Sequence, residues 1–154
     1  MDIHEEMIAD TVRTEAFRQA IHELVSRRIV VDVGAGTGIL SIYAAEAGAK
    51  HVYAIEASNI VKVCKDRIQS RGLHRQIEIM HTRAEDVTWL QHRADVIVSE
   101  WIGYFLLFER MLPSVLAIRD RHLREDGAMI PQRAVILMAG VRGGTDLEGS
   151  SVEA

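Results

Sequence analysis

The fold of this chain is decided by the stretch Ile29-Val30-Val31-Asp32-Val33-Gly34-Ala35-Gly36-Thr37-Gly38-Ile39-Leu40-Ser41. Its first five residues are mostly β-branched and apolar, which is typical of a buried parallel strand. Three glycines follow, and the pattern then becomes helical. Glycines at such a strand-to-helix turn let a ligand approach the backbone, and the helix start adds unpaired N–H groups. The stretch therefore predicts a ligand-binding turn between a strand and a helix.

The spacing of the glycines narrows the choice of ligand. Dinucleotide sites use G-x-G-x-x-G, whereas here Gly34, Gly36 and Gly38 form G-x-G-x-G, with Asp32 two residues before the first glycine. This form resembles motif I of S-adenosylmethionine-dependent methyltransferases, in which the acid faces the amino group of the cofactor. Two alternatives stay open: a nicotinamide-dependent oxidoreductase, which the spacing disfavours, and a glycine-rich turn that binds no ligand.

Two further acids suit a nucleoside. Glu56 ends a second predicted strand, about twenty residues beyond the glycine turn, where a ribose-binding acid is expected. Glu85 follows a third predicted strand, at the carboxyl edge where doubly wound sheets bind ligands, and it suits the adenine amino group. The alternatives are a solvated glutamate at a strand end and an ordinary loop acid.

The composition is that of one globular domain. Of 154 residues, 48% are hydrophobic and 26% are charged, and the net charge of −4 gives no reason to expect nucleic acid as a partner. The single Cys64 excludes an internal disulfide and indicates a reducing, intracellular compartment. The acidic start is unlike a signal peptide, and no apolar run has membrane-spanning length. The seven histidines do not cluster, so no metal site is predicted.

Strands and helices alternate along the chain with short links, which predicts a parallel α/β sheet. Residues 3–26 are helical in pattern, as one helix or two, with Asp2 or Asp10 as the N-cap. The later elements are predicted at Ile29–Val33, at 42–48 (helix), at His51–Glu56, at 58–71 (helix, stopped by Gly72), at 76–81, at 94–99 and from Pro113 to Leu123 (helix). A turn at Asp126-Gly127, a short fifth strand over 128–130 and a sixth strand over 133–139 follow. The small, polar residues 140–154 are expected to be a disordered tail.

The segment Ser99–Leu112 is the second unusual feature, because Glu100 and Glu109 bracket an almost wholly apolar loop. A surface loop is normally polar, so this one is expected to be buried or to line a pocket. Burying two like charges is costly unless a cation lies between them. A guanidinium, with a permanent charge and five donors in a planar fork, meets that need. The alternative is a pair of helix-cap or surface acids on a packing loop.

These motifs together resemble the cofactor-binding half of the protein arginine N-methyltransferase family. The matching residues are 3–7, 12–14, 31–40, 56–58 and 99–112, and the resemblance covers residues 2 to about 139. Within the family, residues 4–13 and Ala35 look most like a type I enzyme. The resemblance implies a Rossmann-like class I S-adenosylmethionine-dependent methyltransferase fold over residues 1–139. It also implies that the family's N-terminal aromatic helix, C-terminal β-barrel and dimerisation arm are missing here.

The family's functional residues map onto this sequence one by one. The resemblance implies that His4 and Met7 lie near the cofactor, that Arg13 pairs with its carboxylate, and that Glu100 and Glu109 clamp the substrate arginine. The other implied cofactor contacts are Asp32 and Gly34 (homocysteine side), Glu56 (ribose), Glu85 (adenine), Met111 (sulfonium methyl), and Gly36, Gly38, Ile39, Leu40, Ala57 and Ala84.

The resemblance also implies a reaction and its partners. The reaction is methyl transfer from S-adenosyl-L-methionine to guanidinium nitrogens of protein arginine, in histones or in proteins rich in arginine and glycine. No direct nucleic-acid or membrane partner is expected, and the location is the nucleus, the cytoplasm or both. The alternative is a catalytically inactive cofactor-binding fragment, or a regulatory partner of a longer methyltransferase.

Overall fold

A five-stranded, all-parallel sheet with the strand order β3-β2-β1-β4-β5 forms the centre of the molecule in a computed structural model, which describes residues 10–108 and 111–140. This architecture confirms the predicted Rossmann-like α/β fold class. The elements are α1 (Thr11–Leu24), β1 (Ile29–Val33), α2 (Ile39–Glu46), β2 (His51–Glu56), α3 (Val61–Ser70), β3 (Ile77–His81), a 3-10 turn (Ala84–Asp86), β4 (Ala94–Val98), α4 (Leu112–His122) and β5 (Leu123–Ile130).

Strand β1 is apolar along almost its whole length because both faces of the sheet are covered. Its five residues are all buried. Val30 belongs to a cluster that includes Ile21 of α1 and Ile68 of α3. Val31 and Val33 belong to a second cluster on the other face, together with side chains of α4. Parallel strands that are buried on both sides lose the alternating pattern of a half-exposed strand, which explains the apolar run.

The predicted helix ends are largely confirmed. The Asp10 side chain caps α1 by accepting a hydrogen bond from the Arg13 N–H at 3.1 Å, so Asp10 is the N-cap of this helix. The alternative cap, Asp2, lies outside the described residues. Pro113 lies in the first turn of α4, where its missing N–H costs nothing. Gly72 follows α3 with φ +71°, the left-handed conformation of a glycine C′ residue.

The turn predicted at Asp126-Gly127 is wrong, since these residues lie inside β5. Ala94 of β4 pairs with Leu123 and Val96 pairs with Ala128, so two steps along β4 correspond to five along β5. The three extra residues are taken up as a bulge at the edge of the sheet, where none of the described strands lies beyond β5 to constrain the register. A local turn signal cannot be told from such a bulge by sequence alone.

The sixth strand predicted over 133–139 is also wrong. The structure gives this segment no regular secondary structure, and Leu137 and Met138 are 87% and 89% exposed. A strand exists through hydrogen bonds to a neighbouring strand, and none of the described strands pairs with this segment. The tail predicted to be disordered lies outside the described residues from 141 onward, and the domain boundary at 139 stays a prediction.

Candidate functional site

A cavity of about 590 Å³ opens at the carboxyl ends of the strands, where the strand order reverses between the neighbouring strands β1 and β4. Doubly wound sheets bind their ligands at this switch point. Most of the described residues that the sequence predicted for the site line this one cavity: Arg13, Gly34, Gly36, Ile39, Leu40, Glu56, Ala57, Ala84, Glu85, Glu100 and Met111. His4, Met7 and Glu109 lie outside the described residues.

The glycine turn forms the floor of this cavity. The N–H groups of Gly34 and Ala35 both donate to the Ile55 carbonyl of β2 at 2.9 Å, which ties the turn to the neighbouring strand. Gly34 and Gly36 have φ angles of +73° and +56°, a region that favours glycine. Gly34 also leaves room for the Met111 side chain, whose methyl group a Cβ at Gly34 would overlap. The turn is therefore shaped by backbone conformation and by close packing together.

Gly38 does not line the cavity. It is the left-handed N-cap residue of α2, with φ +82°. A Cβ at Gly38 would lie 2.7 Å from the Cys64 Sγ, so the glycine allows α2 and α3 to approach each other. In this structure the third glycine of the motif is explained by the close packing of α2 on α3. The cofactor contact predicted for Gly38 stays a prediction.

Glu56 holds the glycine turn through its carboxylate. It is only 8% exposed, and its Oε2 accepts from the Gly36 N–H at 2.7 Å while its Oε1 accepts from the Ser58 N–H at 2.7 Å. Because an ionised carboxylate has about four acceptor positions, two remain for a ligand in the cavity. The predicted ribose contact at Glu56 is therefore compatible with its structural bonds.

Asp32 lies behind the glycine turn and is fully buried. Its Oδ2 accepts from the Ser41 hydroxyl at 2.6 Å, while its Oδ1 has no hydrogen-bond partner among the described residues. Burial raises the pKa of the Asp32 carboxyl to about 7, although the Ser41 hydrogen bond acts in the opposite direction. Asp32 does not line the cavity, so its predicted contact with the homocysteine side stays a prediction.

Arg13 and Glu100 pair with each other across the mouth of the cavity. Arg13 Nη1 lies 3.4 Å from Glu100 Oε2, and the Ile102 N–H donates to Glu100 Oε1 at 3.3 Å. The resemblance gave these two residues different ligands, a cofactor carboxylate and a substrate guanidinium. The structure brings the two side chains together in one cavity, and the ligand assigned to each of them stays a prediction.

Glu85 is held at the cavity wall by Ser114, which was not among the predicted site residues. The Ser114 hydroxyl donates to Glu85 Oε1. This hydrogen bond, then one from the backbone N–H of Glu85 itself and then the nearby Arg83 guanidinium hold the pKa of the Glu85 carboxyl below its usual range. Ser114 directly follows Pro113 in the first turn of α4. The sequence signal for Ser114 is a hydroxyl in the first turn of the helix that follows the loop between Glu100 and Glu109. Thr14 and Phe17 of α1 also line the cavity and were missed.

The loop between Glu100 and Glu109 is not buried, contrary to expectation. Trp101 is buried, but Tyr104, Phe105 and Phe108 are 81%, 83% and 78% exposed, and none of them lines the cavity. Phe105 has a positive φ, and the Gly103 N–H donates to the Leu106 carbonyl at 3.2 Å, so the chain folds back on itself here. The expectation fails because none of the described elements packs over these rings.

The residues that the structure describes hold no group of three histidine, cysteine, aspartate or glutamate side chains placed to bind a metal ion. Over the same residues, every helix is too short or too polar to cross a lipid bilayer.

Comparison with known proteins agrees with this geometry. A family model described as ribosomal protein L11 methyltransferase (PrmA) matches residues 14–130. The probable protein arginine N-methyltransferase 6 of Arabidopsis thaliana is 49% identical over 142 residues, covering 90% of this chain and 32% of the relative. Protein arginine N-methyltransferase 1 of Saccharomyces cerevisiae is 44% identical, covering 90% of this chain and 41% of the relative.

A solved structure supports the same relationship. The Trypanosoma brucei PRMT1 enzyme–prozyme heterotetrameric complex with AdoHcy superposes with a TM-score of 0.80 at 38% identity, covering 83% of this chain and 41% of that one. This chain spans about a third to two fifths of the length of the curated relatives it matches. Residues 14–130 therefore form a methyltransferase domain of the kind that the family model describes, and the chain is homologous to a part of the protein arginine N-methyltransferases.

Proposed function

We propose that this chain binds S-adenosyl-L-methionine in the cavity at the carboxyl edge of the sheet and takes part in methylating arginine side chains of proteins. The observation that carries the proposal is that one cavity joins two kinds of site. The glycine turn and Glu56, which are predicted to bind a nucleoside, and Glu100, which is predicted to bind a guanidinium, line the same cavity.

The chemistry of the lining residues fits this cofactor. The volume of about 590 Å³ lies within the range of roughly 300–1,000 Å³ that is usual for small-molecule sites. Glu56 has acceptor positions left for the ribose hydroxyls, and Glu85 suits the adenine amino group. Arg13 offers a guanidinium to the cofactor carboxylate. When bound, S-adenosylmethionine supplies an electrophilic methyl group on a sulfonium centre.

The protein's own contribution to the reaction is positioning and charge. A guanidinium is a poor nucleophile because its lone pairs are delocalised. Two carboxylates that hold two of its nitrogens draw positive charge toward those nitrogens and leave the third facing the methyl donor. Glu100 is the described member of this pair; the role of Glu109 rests on the family resemblance. Preorganised charge and alignment of this kind are large contributions to catalysis.

The proposed substrates are proteins with exposed arginine, histones or arginine- and glycine-rich proteins among them. The Trypanosoma brucei relative forms an enzyme–prozyme heterotetrameric complex, and association of this chain with a second methyltransferase subunit is part of the proposal. The proposed location is the nucleus or the cytoplasm, which the single, buried Cys64 supports.

The first test of the proposal is a pair of binding and transfer measurements. Calorimetric titration with S-adenosylhomocysteine and, separately, with NAD is expected to show binding of the first alone. Labelled S-adenosylmethionine is then incubated with an arginine- and glycine-rich peptide and with the same peptide carrying lysine at each arginine. We expect label in the arginine peptide only.

A matched pair of variants assigns the transfer to the site. Glu100→Gln is expected to abolish labelling, while Glu125→Gln, an exposed acid on β5, is expected to retain it. Binding of NAD without S-adenosylhomocysteine, or labelling of the lysine peptide, would contradict the proposed function.

A further inference from the structure

A second cavity, of about 650 Å³, lies at the amino ends of the strands, on the side of the sheet away from the first cavity. Its walls come from the amino ends of β1, β2 and β4, the start of β5 and the loop after α1. Helix α1 separates it from the cofactor cavity: Arg13 lines that cavity in the first turn of the helix, and Arg27 and Arg28 lie just beyond its last turn. A 14-residue helix is about 21 Å long, so the two cavities are separate sites.

The charge of this second cavity is opposite to that of the chain. Five permanently charged cations line it, Arg27, Arg28, Lys50, Arg93 and Arg124, against one acid, Asp95. The chain as a whole carries a net charge of −4. A concave surface that concentrates one sign of charge raises the local concentration of ions of the other sign. The second cavity therefore attracts anions although the protein as a whole does not.

Only part of this positive charge is used within the fold. Asp95 accepts from the Ile29 N–H at 2.8 Å and from Arg124 Nη1 at 3.1 Å, and Arg93 donates to a backbone carbonyl at 3.3 Å. By contrast, Arg27, Arg28 and Lys50 form no ion pair with any residue of the described segments. Three neighbouring cations that share one cavity with a single acid, and that form no ion pair with it, repel one another, and an anionic ligand would relieve that repulsion.

Backbone hydrogen bonds join the segments that carry these three cations. Arg27 has a left-handed conformation, φ +62°, and its N–H donates to the Gly48 carbonyl at 2.7 Å. The Lys50 N–H donates to the Arg28 carbonyl at 2.8 Å, which places Lys50 beside the arginine pair. A non-glycine residue in this conformation is uncommon. Backbone hydrogen bonds thus bring the three cationic residues together at one place on the surface.

We infer that the second cavity binds a compact anion with two or more phosphoryl groups. Four of its five permanent cations are arginines, whose planar forks match phosphate oxygens. Its described lining includes no Phe, Tyr or Trp, whereas proteins that grip single-stranded nucleic acid stack the bases on such rings. Its one apolar lining residue, Ile29, is buried, so it offers no anchor pocket of the kind that peptide recognition uses.

The test uses inorganic tripolyphosphate as the probe, at an ionic strength matched with sodium chloride. Titration of the isotope-labelled chain is expected to shift the amide signals of Lys50 and of residues 91–95, and to leave those of Gly34 and Gly36 in place. Calorimetry is expected to show at least tenfold weaker binding for Arg27→Gln with Arg28→Gln. The matched control, Lys65→Gln with Arg75→Gln, removes the same charge from exposed residues that do not line the cavity and is expected to change the affinity less than twofold.

Several results would overturn the inference. One is the absence of amide shifts at matched ionic strength in the unmodified chain, a measurement that does not depend on any variant folding. Another is equal weakening by the two variant pairs, which would indicate general attraction to a charged surface. Tighter binding of a polyglutamate peptide or of a single-stranded RNA than of tripolyphosphate would assign the cavity to those ligands. Since no arm measures methyl transfer, the outcome is independent of the proposed function.

Discussion

Arg13 Nη1 lies 3.4 Å from Glu100 Oε2, although the two residues are 87 positions apart in the sequence. Arg13 comes from the first turn of α1 and Glu100 from the end of β4. Both side chains are partly exposed, 30% and 17%, so the pair contributes little stability by itself. The pair matters because of its position: Arg13 is the proposed partner of the cofactor carboxylate, and Glu100 is the proposed partner of the substrate guanidinium.

The first prediction separates the two roles of this ion pair. Arg13→Gln is expected to weaken S-adenosylhomocysteine binding about tenfold or more, since it removes the proposed partner of the ligand carboxylate. Glu100→Gln is expected to leave that affinity within about threefold of the unmodified value, because the proposed partner of Glu100 is the substrate and not the cofactor. Calorimetric titration of the two variants measures both effects.

Arg18→Gln is the matched control for Arg13→Gln. Arg18 lies on the same helix and pairs with Glu15 at 3.4 Å, outside the cavity. It is expected to leave the affinity unchanged. Equal loss of S-adenosylhomocysteine binding in Arg13→Gln and Glu100→Gln would contradict the division of roles and would mean that the intact ion pair is what the ligand requires.

The second prediction concerns Glu56. Its carboxylate accepts hydrogen bonds from the glycine turn, and we propose that it also accepts from the ribose hydroxyls of the cofactor. Glu56→Gln replaces one acceptor oxygen by an NH₂ donor, which would face either the Gly36 or the Ser58 N–H. Leaving such buried groups unpaired costs about 1–3 kcal/mol. We expect a loss of that order in the free energy of unfolding and weaker S-adenosylhomocysteine binding by calorimetry.

A ligand analogue distinguishes the ribose contact from the structural one. The 2′-deoxy form of S-adenosylhomocysteine is expected to bind the unmodified chain more weakly than the parent compound. In Glu56→Ala, which removes both acceptor oxygens, the two ligands are expected to bind alike. A deoxy penalty that persists undiminished in Glu56→Ala would assign the ribose hydroxyl to another residue.

The third prediction follows from the buried Asp32. Its pKa is raised from 3.8 to about 7, so the folded state holds a proton that the unfolded state releases in that range. The contribution of Asp32 to stability is therefore favourable below about pH 4 and is lost as the pH rises toward 7. Asp32→Asn is neutral throughout, so its free energy of unfolding relative to the unmodified chain is expected to rise by roughly 2–4 kcal/mol between pH 4 and pH 8.

Denaturant unfolding at a series of pH values measures this difference. Asp66→Asn, which removes an exposed carboxylate from α3, serves as the matched control and is expected to follow the unmodified chain across the series. A constant difference between Asp32→Asn and the unmodified chain from pH 4 to pH 8 would show that the carboxyl titrates alike in both states.

The sheet and the glycine turn were predictable because their signals are local. Runs of β-branched residues indicated β1 and β2 at Ile29–Val33 and His51–Glu56, and both bounds are confirmed. Glycines with positive φ mark the turn and the end of α3 for a steric reason that operates within a few residues. Such features depend little on the rest of the fold, so the sequence carries them directly.

The contacts that shape the site were not predictable in the same way. The pairs Arg13–Glu100 and Ser114–Glu85 join residues that are 87 and 29 positions apart, and no local pattern says which polar groups will meet. The exposed Phe105 and the bulged β5 depend on which elements are available to cover or pair with them. Long-range packing decides both, and it overrides local preference.

The fourth prediction tests the conformation of the glycine turn itself. Gly34 has φ +73°, and a Cβ there would overlap the Met111 methyl group. Gly34→Ala is therefore expected to lower the free energy of unfolding by about 1–2 kcal/mol through the left-handed backbone, with a further loss from displacing Met111. Since Met111 lines the cavity, weaker S-adenosylhomocysteine binding is expected as well.

Gly72→Ala isolates the backbone part of this effect. Gly72 has almost the same angle, φ +71°, but a Cβ there would meet no atom within 4 Å. The difference between the two variants in denaturant unfolding thus measures the steric contribution of Met111 alone, and Gly72→Ala is expected to leave ligand affinity unchanged. If both variants lose the same stability, the flexible methionine moves aside without cost. The glycine at position 34 would then be required by the backbone angle, and any loss of binding would come from the added methyl group in the path of the ligand.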